Sequence, residues 1–104
     1  MSALQRLAAT IESRRAADPE TSWTAKLLSS GPEKCAEKFG EEAIEAVIEA
    51  VKGDRERLTS EAADVLFHLL VMCAARGVSL TDIDSELTRR EGQSGVVEKA
   101  ARKG

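Results

Sequence analysis

Glu61-Ala62-Ala63-Asp64-Val65-Leu66-Phe67-His68-Leu69-Leu70-Val71-Met72-Cys73-Ala74 reads as a helix. At about 100° per residue, the apolar side chains from Val65 to Ala74 cover nearly its whole circumference. A helix apolar all round is expected to be buried on all sides. Three polar residues interrupt it: Glu61, Asp64 and His68 share an arc of roughly 60°. Asp64 abuts the apolar run, and burying a carboxylate is costly unless it is paired or metal-bound. Arg57 lies two turns back and the segment has no lysine, so the partner of Asp64 must come from another element.

The preceding segment supplies candidates. Gly31-Pro32 opens a helix, with Pro at the first position where its missing N–H costs nothing. The helix runs to Lys52, and Gly53 is a natural residue just past its end. Glu41, Glu42, Glu45 and Glu49 fall within an arc of about 100°, with Lys34 and Lys38 in the same arc one to two turns earlier. Cys35, Phe39, Ala43, Ala46, Val47, Ala50 and Val51 occupy the other side. A solvated face laced with ion pairs is the ordinary explanation of such a pattern. Against it, Glu41 with Glu45 and Glu45 with Glu49 are like charges at i, i+4, and Lys38 before Glu42 is the less favourable order. Glu45 has no basic residue three or four positions away on this helix.

Beyond these two helices the chain is short. Leu4, Leu7, Ala8 and Ile11 give the stripe of a first helix over 3–16, which Asp18-Pro19 stops. A loop is expected over 20–31, holding the single Trp with Ser22, Thr24 and Lys26; such loops often carry ligand contacts. Thr59-Ser60-Glu61 marks a candidate break before the third helix, which ends at Gly77. Thr81 is a candidate N-cap for a fourth helix ending near Gly92. A turn at 92–95 and a polar tail follow. Four helices with short connections imply an all-α fold, an antiparallel four-helix bundle, formed as a single domain over 1–104.

Composition sets bounds. With 42% apolar and 32% charged residues the chain is globular, and Trp23, Phe39 and Phe67 leave an aliphatic core. A net charge of -3 gives no basic footprint for nucleic acid. Met1 to Ile11 already reads as an amphipathic helix, so no leader is expected. The longest apolar run is too short to cross a bilayer. Cys35 and Cys73 lie far apart without a C-x-x-C, which fits reduced thiols in a cytoplasmic protein.

If the two central helices pack antiparallel around Gly53, Glu42 and Glu45 face Glu61 and Asp64. Four carboxylates then converge with no protein cation, and a divalent ion resolves the repulsion. All-oxygen ligation suits Mg²⁺, Mn²⁺ or Ca²⁺ rather than zinc, and Mg²⁺ completes its shell with water and phosphate oxygens. A di-iron bundle wants a repeated Glu-x-x-His, whereas His68 sits four residues from Asp64 with no second copy. His68 reads first as a hydrogen-bonding residue of the helix interior or one behind the ligands. Lys34 and Lys38 are placed to meet phosphates as point charges. Arg89 and Arg90 serve equally as dipole partners at the end of helix four or as substrate contacts. Trp23 reads as a packing anchor ahead of a base-stacking residue. Phe67 and Met72 belong to the core, and the turn at 92–95 lacks the context of a P-loop.

These residues carry a resemblance. Ser22-Trp23-Thr24-Ala25-Lys26-Leu27-Leu28, Gly31, Lys34, Lys38-Phe39-Gly40-Glu41-Glu42-Ala43 with Glu45, and Glu61 to Leu70 resemble the phosphoribosyl-ATP pyrophosphatase family. Arg90, Gly92-Gln93-Ser94-Gly95 and Glu98-Lys99-Ala100 extend the resemblance to the tail. The E-x-x-E and E-x-x-D pair alone marks the wider all-α nucleoside triphosphate pyrophosphatase superfamily, with its MazG-type and dimeric dUTPase-type members. The resemblance implies a Mg²⁺-dependent four-helix bundle that works as a homodimer or higher homo-oligomer. It implies hydrolysis of phosphoribosyl-ATP between the α- and β-phosphates to phosphoribosyl-AMP and pyrophosphate, early in histidine biosynthesis. Glu42, Glu45, Glu61 and Asp64 would be the metal ligands; Glu41, Glu42 or Glu45 would orient or deprotonate the water; Lys26, Lys34 and Lys38 would hold phosphates. Gln93 stands where many relatives carry Thr. A fused cyclohydrolase would need further length and zinc ligands, so a separate enzyme is expected to act next. Two alternatives stay open at this point: a housecleaning triphosphate pyrophosphatase, and a non-catalytic helical dimerisation module.

Overall fold

The structure is a computed structural model that describes residues 1–92; the expected turn beyond Gly92 and the tail motif lie outside the described residues. It is all-α, with no strand among the described residues: α1 Ala3–Ser13, a 3₁₀ turn Arg14–Ala16, α2 Trp23–Ser29, α3 Pro32–Lys52, α4 Arg55–Ala75 and α5 Leu80–Arg90.

Local chemistry fixes the ends. Ser2 caps α1 in a capping box. Its hydroxyl accepts from the Gln5 N–H at 3.2 Å while its own N–H donates to Gln5 Oε1 at 2.8 Å. Gly53 closes α3 in a left-handed conformation (φ +80°), which a β-carbon would disfavour. Asp54 then caps α4, accepting from the Arg57 N–H at 3.0 Å. The two long helices therefore form an antiparallel hairpin, the most extensive helix contact in the fold.

Three local expectations are corrected. The segment expected as a loop over 20–31 contains α2, capped by Ser22 accepting from the Ala25 N–H at 3.1 Å and buried at Ala25 and Leu27. Seven residues are too short to display a helical period, so packing rather than pattern makes this helix. No break occurs at Thr59-Ser60-Glu61. The Thr59 hydroxyl donates to the Arg55 carbonyl at 2.8 Å and the helix continues, the back-bonding by which a helix tolerates Thr in its interior. The cap of α5 is Ser79, not Thr81, because Asp82 three residues on completes a capping box.

The core consists of Ile11, Leu27, Cys35, Leu70, Val71 and Ala74, with Leu4, Leu7, Ala8, Phe67 and Met72 packed around it. It joins α1, α2, the start of α3 and the end of α4. The far end of the hairpin is covered on fewer sides. There the expectation that the third helix is buried all round fails: Leu66 is 43% exposed and Asp64 is exposed, because no other helix among the described residues covers that face. By length and composition α4 alone among the described helices would suffice to cross a bilayer, yet Leu70, Val71 and Ala74 on it build the core.

Candidate functional site

The hairpin sets one register. Moving up α3 by a turn matches moving down α4 by a turn, so Glu49 meets Arg57, Glu45 meets Glu61, Lys38 lies by His68, and Cys35 and Val71 share the core. Cys35 anchors the buried end: it is 1% exposed and its thiol donates to the Leu27 carbonyl at 3.1 Å. Above it, three carboxylates converge. Glu42, Glu45 and Glu61 each offer an oxygen, and the three lie within 4.8 Å of one another. One oxygen of Glu61 is buried without a hydrogen-bond partner among the described residues.

The electrostatics follow from that crowding. Burial pushes the Glu42 carboxyl up from the ordinary range, and the charges of Glu45, Asp64 and Glu61 push in the same direction. Burial likewise raises Glu61, with contact to Glu45 and the charges of Asp64 and Glu49 adding to it. Both causes act by disfavouring the charged form. No Lys or Arg lowers either group. Such a site is destabilised while empty and gains by binding a cation, and its all-oxygen donor set fits a hard divalent ion.

The expected residues divide. Glu42, Glu45 and Glu61 come together. Asp64 is exposed and lies outside that trio, one turn along α4, where its charge still acts on Glu42, Glu61 and His68. Glu41 is exposed and pairs with Lys38 at 3.5 Å, while Lys34 pairs with Glu37 at 3.5 Å. These i, i+3 pairs give the lysine end of α3 more of the ordinary ion-paired character than its i, i+4 spacing suggests. Lys26 stands apart on α2, in a hollow with Trp23. Trp23 is 52% exposed and so is no packing anchor. Arg89 and Arg90 bond Glu86, at 2.8 and 3.0 Å.

Two residues gain weight that sequence did not give them. Glu49 continues the acidic row: its side chain is 12% exposed, and one oxygen is buried without a hydrogen bond among the described residues. Its place in the acidic arc of α3 is the available signal. His68 is 8% exposed, edge-on to Phe67 at 5.0 Å, with Nδ1 unpartnered among the described residues. Burial pushes its pKa down, so it is held neutral; nearby Asp64 opposes this and Lys38 adds to it.

Comparison with known proteins identifies the family. The chain is 74% identical to a phosphoribosyl-ATP pyrophosphatase of Jannaschia sp. (strain CCS1), over 98% of this chain and 100% of that one. It is 73% identical to the protein of that name from Paracoccus denitrificans, covering 96% of this chain and 93% of the relative. It is 72% identical to that of Ruegeria pomeroyi, covering 98% and 97%. A family profile described as phosphoribosyl-ATP pyrophosphohydrolase matches residues 4–91, from α1 through α5 and across every carboxylate of the hairpin. On that match and those identities, the chain belongs to the phosphoribosyl-ATP pyrophosphohydrolase family.

Proposed function

We propose that this chain hydrolyses phosphoribosyl-ATP to phosphoribosyl-AMP and pyrophosphate, in histidine biosynthesis, with Mg²⁺ as its cofactor. The observation that carries the reading is the trio Glu42, Glu45 and Glu61, each offering a carboxylate oxygen within 4.8 Å of the others and without a basic residue among them. Family membership supplies the substrate, since the relatives bear the name of that reaction.

Glu42, Glu45 and Glu61 would hold the ion, with Asp64 one turn away as the fourth acid. When bound, it would neutralise phosphate charge and lower the pKa of a bound water. The chain's own groups do the rest. Glu41, Glu42 or Glu45 orients the attacking water or takes its proton. Lys34 and Lys38 release their glutamate partners to meet phosphate oxygens, at small cost because both pairs are partly solvated. Lys26 adds a third cation from α2.

The working unit in this reading is a homodimer or higher homo-oligomer in the cytoplasm, followed by a separate cyclohydrolase. Support for self-association comes from α3: Ile44, Val47, Ile48 and Val51 stand between 46% and 84% exposed along one stripe. The test is pyrophosphate release from phosphoribosyl-ATP with Mg²⁺, with dUTP and ATP in parallel. Release from phosphoribosyl-ATP alone, abolished by chelator and by Glu45→Gln, is the expected result. Release only from the other triphosphates keeps the site and replaces the substrate, and none from any of them overturns the reading.

A further inference from the structure

We infer that Trp23 is the base-recognition residue of the site, the face on which the substrate's purine ring stacks. This rests on the reaction just proposed and adds to it a specificity-determining residue. An indole is among the largest apolar surfaces a side chain carries, and folded proteins ordinarily bury most of it. Here Trp23 is 52% exposed, although it opens a helix whose Ala25 and Leu27 are 3% and 2% exposed. The chain therefore turns its smaller side chains inward and leaves its largest ring out.

The ring is not isolated. It lines a hollow of about 340 Å³ with Pro19, Glu20, Thr21, Ser22 and Lys26. Lys26 lies one turn along α2 from Trp23 and takes part in no ion pair among the described residues. A flat apolar face beside an uncommitted ammonium is the pairing that an aromatic base attached to a phosphate chain requires, since stacking accepts the ring and the cation accepts the anion. The rim carboxylate of Glu20 supplies an acceptor suited to an exocyclic amine.

α2 packs on both helices that carry the acids, α3 and α4, and through Gly31 it leads into α3, where Lys34 and Lys38 precede Glu42 and Glu45. Trp23 and Lys26 on α2, Lys34 and Lys38 near the start of α3, and the carboxylate trio thus offer separate groups of residues to the base, the phosphates and the α–β anhydride.

Because Trp23 is the only Trp and the chain has no Tyr, its fluorescence reports this residue alone. Titration of the full chain with AMP and ATP is expected to quench the emission, whereas tripolyphosphate leaves it unchanged. In steady-state hydrolysis of phosphoribosyl-ATP, Trp23→Ala raises KM roughly tenfold, the loss falling mainly on KM, and Trp23→Phe restores most of it. Unchanged emission with adenine nucleotides, or a KM for Trp23→Ala equal to the parent's, overturns the inference while leaving the reaction intact. Emission that follows protein dilution rather than nucleotide overturns it too, by making Trp23 a contact between subunits. If Trp23→Ala fails to fold, the parent's fluorescence and the Trp23→Phe kinetics still decide. A parent inactive on phosphoribosyl-ATP that is nonetheless quenched by AMP separates failure of the reaction from failure of this residue's role.

Discussion

Glu49 Oε2 and Arg57 Nη1 stand 4.0 Å apart across the α3–α4 hairpin, one turn from the place where Glu45 meets Glu61. Arg57 is the cation that faces Glu49 across the hairpin, and it is a weak partner. It is 70% exposed and lies also 3.8 Å from Asp54, so solvent and a second acid share its charge. The other Glu49 oxygen is buried and unpartnered among the described residues, and the charge of Glu49 helps to raise Glu61. Glu49 therefore adds its charge to the repulsion on Glu61, with only the solvated Arg57 facing it.

Replacing Glu49 by Gln keeps the shape and removes the charge. In chelator, Glu49→Gln should stabilise the fold by about 1 kcal/mol, the scale of one repulsion relieved in a partly screened site. Arg57→Ala should cost less than about 1 kcal/mol, as exposed pairs do. Urea denaturation in EDTA measures both. A destabilised Glu49→Gln would mean that Arg57 compensates the charge after all.

The carboxylate trio gives the metal-free protein a distinctive pH response. Glu42 and Glu61 titrate above their ordinary 4.5 in the folded state, so the fold binds their protons more tightly than the unfolded chain does. Stability must then fall as pH rises from the ordinary carboxylate range through the raised values, and recover as pH falls through them. Glu61→Gln removes one of the groups, so in EDTA it should melt higher than the parent near pH 7 and lose part of the slope. With Mg²⁺ the order should invert, because the parent gains by binding and the variant has lost a ligand. Thermal melts at two pH values with and without Mg²⁺ check this; an unchanged ranking on adding the ion would remove Glu61 from the ligand set.

Glu86 acts on the acid side of that window, with opposite sign. Hydrogen bonds from Arg89 and Arg90 hold its carboxyl down at about 2, against 4.5 in an ordinary glutamate. A depressed folded value contributes stability that is complete above the ordinary value and is lost as pH falls through the depressed one. Glu86→Gln should therefore be less stable than the parent near neutrality, with the difference vanishing toward pH 2. Salt should shrink the effect, since the pairs lie on the surface. Melting curves at low and high salt across the acid range test it, and a difference that persists at the acid end would assign the effect to packing instead.

Sequence and structure meet most closely where periodicity is long. The stripe Leu4, Leu7, Ala8 and Ile11, the bounds of α3 from Pro32 to Lys52, and the convergence of Glu42, Glu45 and Glu61 all follow from helical geometry and one glycine turn. What escapes is what a pattern cannot carry. α2 is too short to show a period, and Ser79 competes with Thr81 until Asp82 is recognised as the partner that selects it. The apolar neighbours of Asp64 suggest an interior position, yet apolar content does not say whether a face is covered by the same chain. Trp23 fails on the same ground, since residue type favours burial where its position at the start of α2 does not.

α3 poses the same question of cover. The side chains it turns toward α4 include Cys35, Lys38, Glu45 and Glu49. At about 100° per residue, Ile44, Val47, Ile48 and Val51 project from the opposite side. They are 64%, 61%, 46% and 84% exposed. A contiguous apolar stripe at i, i+3, i+4 and i+7 on a small chain is the pattern of a helix that packs against another. In a two-fold dimer each residue of the stripe is buried twice, so one substitution counts twice. Val47→Glu should weaken association by about 4 kcal/mol, or roughly a thousandfold, at about 2 kcal/mol for each buried aliphatic side chain. Sedimentation at micromolar concentration should find the parent associated and Val47→Glu monomeric, with helical content retained. If the parent itself sediments as a monomer at every concentration, self-association through this face is excluded.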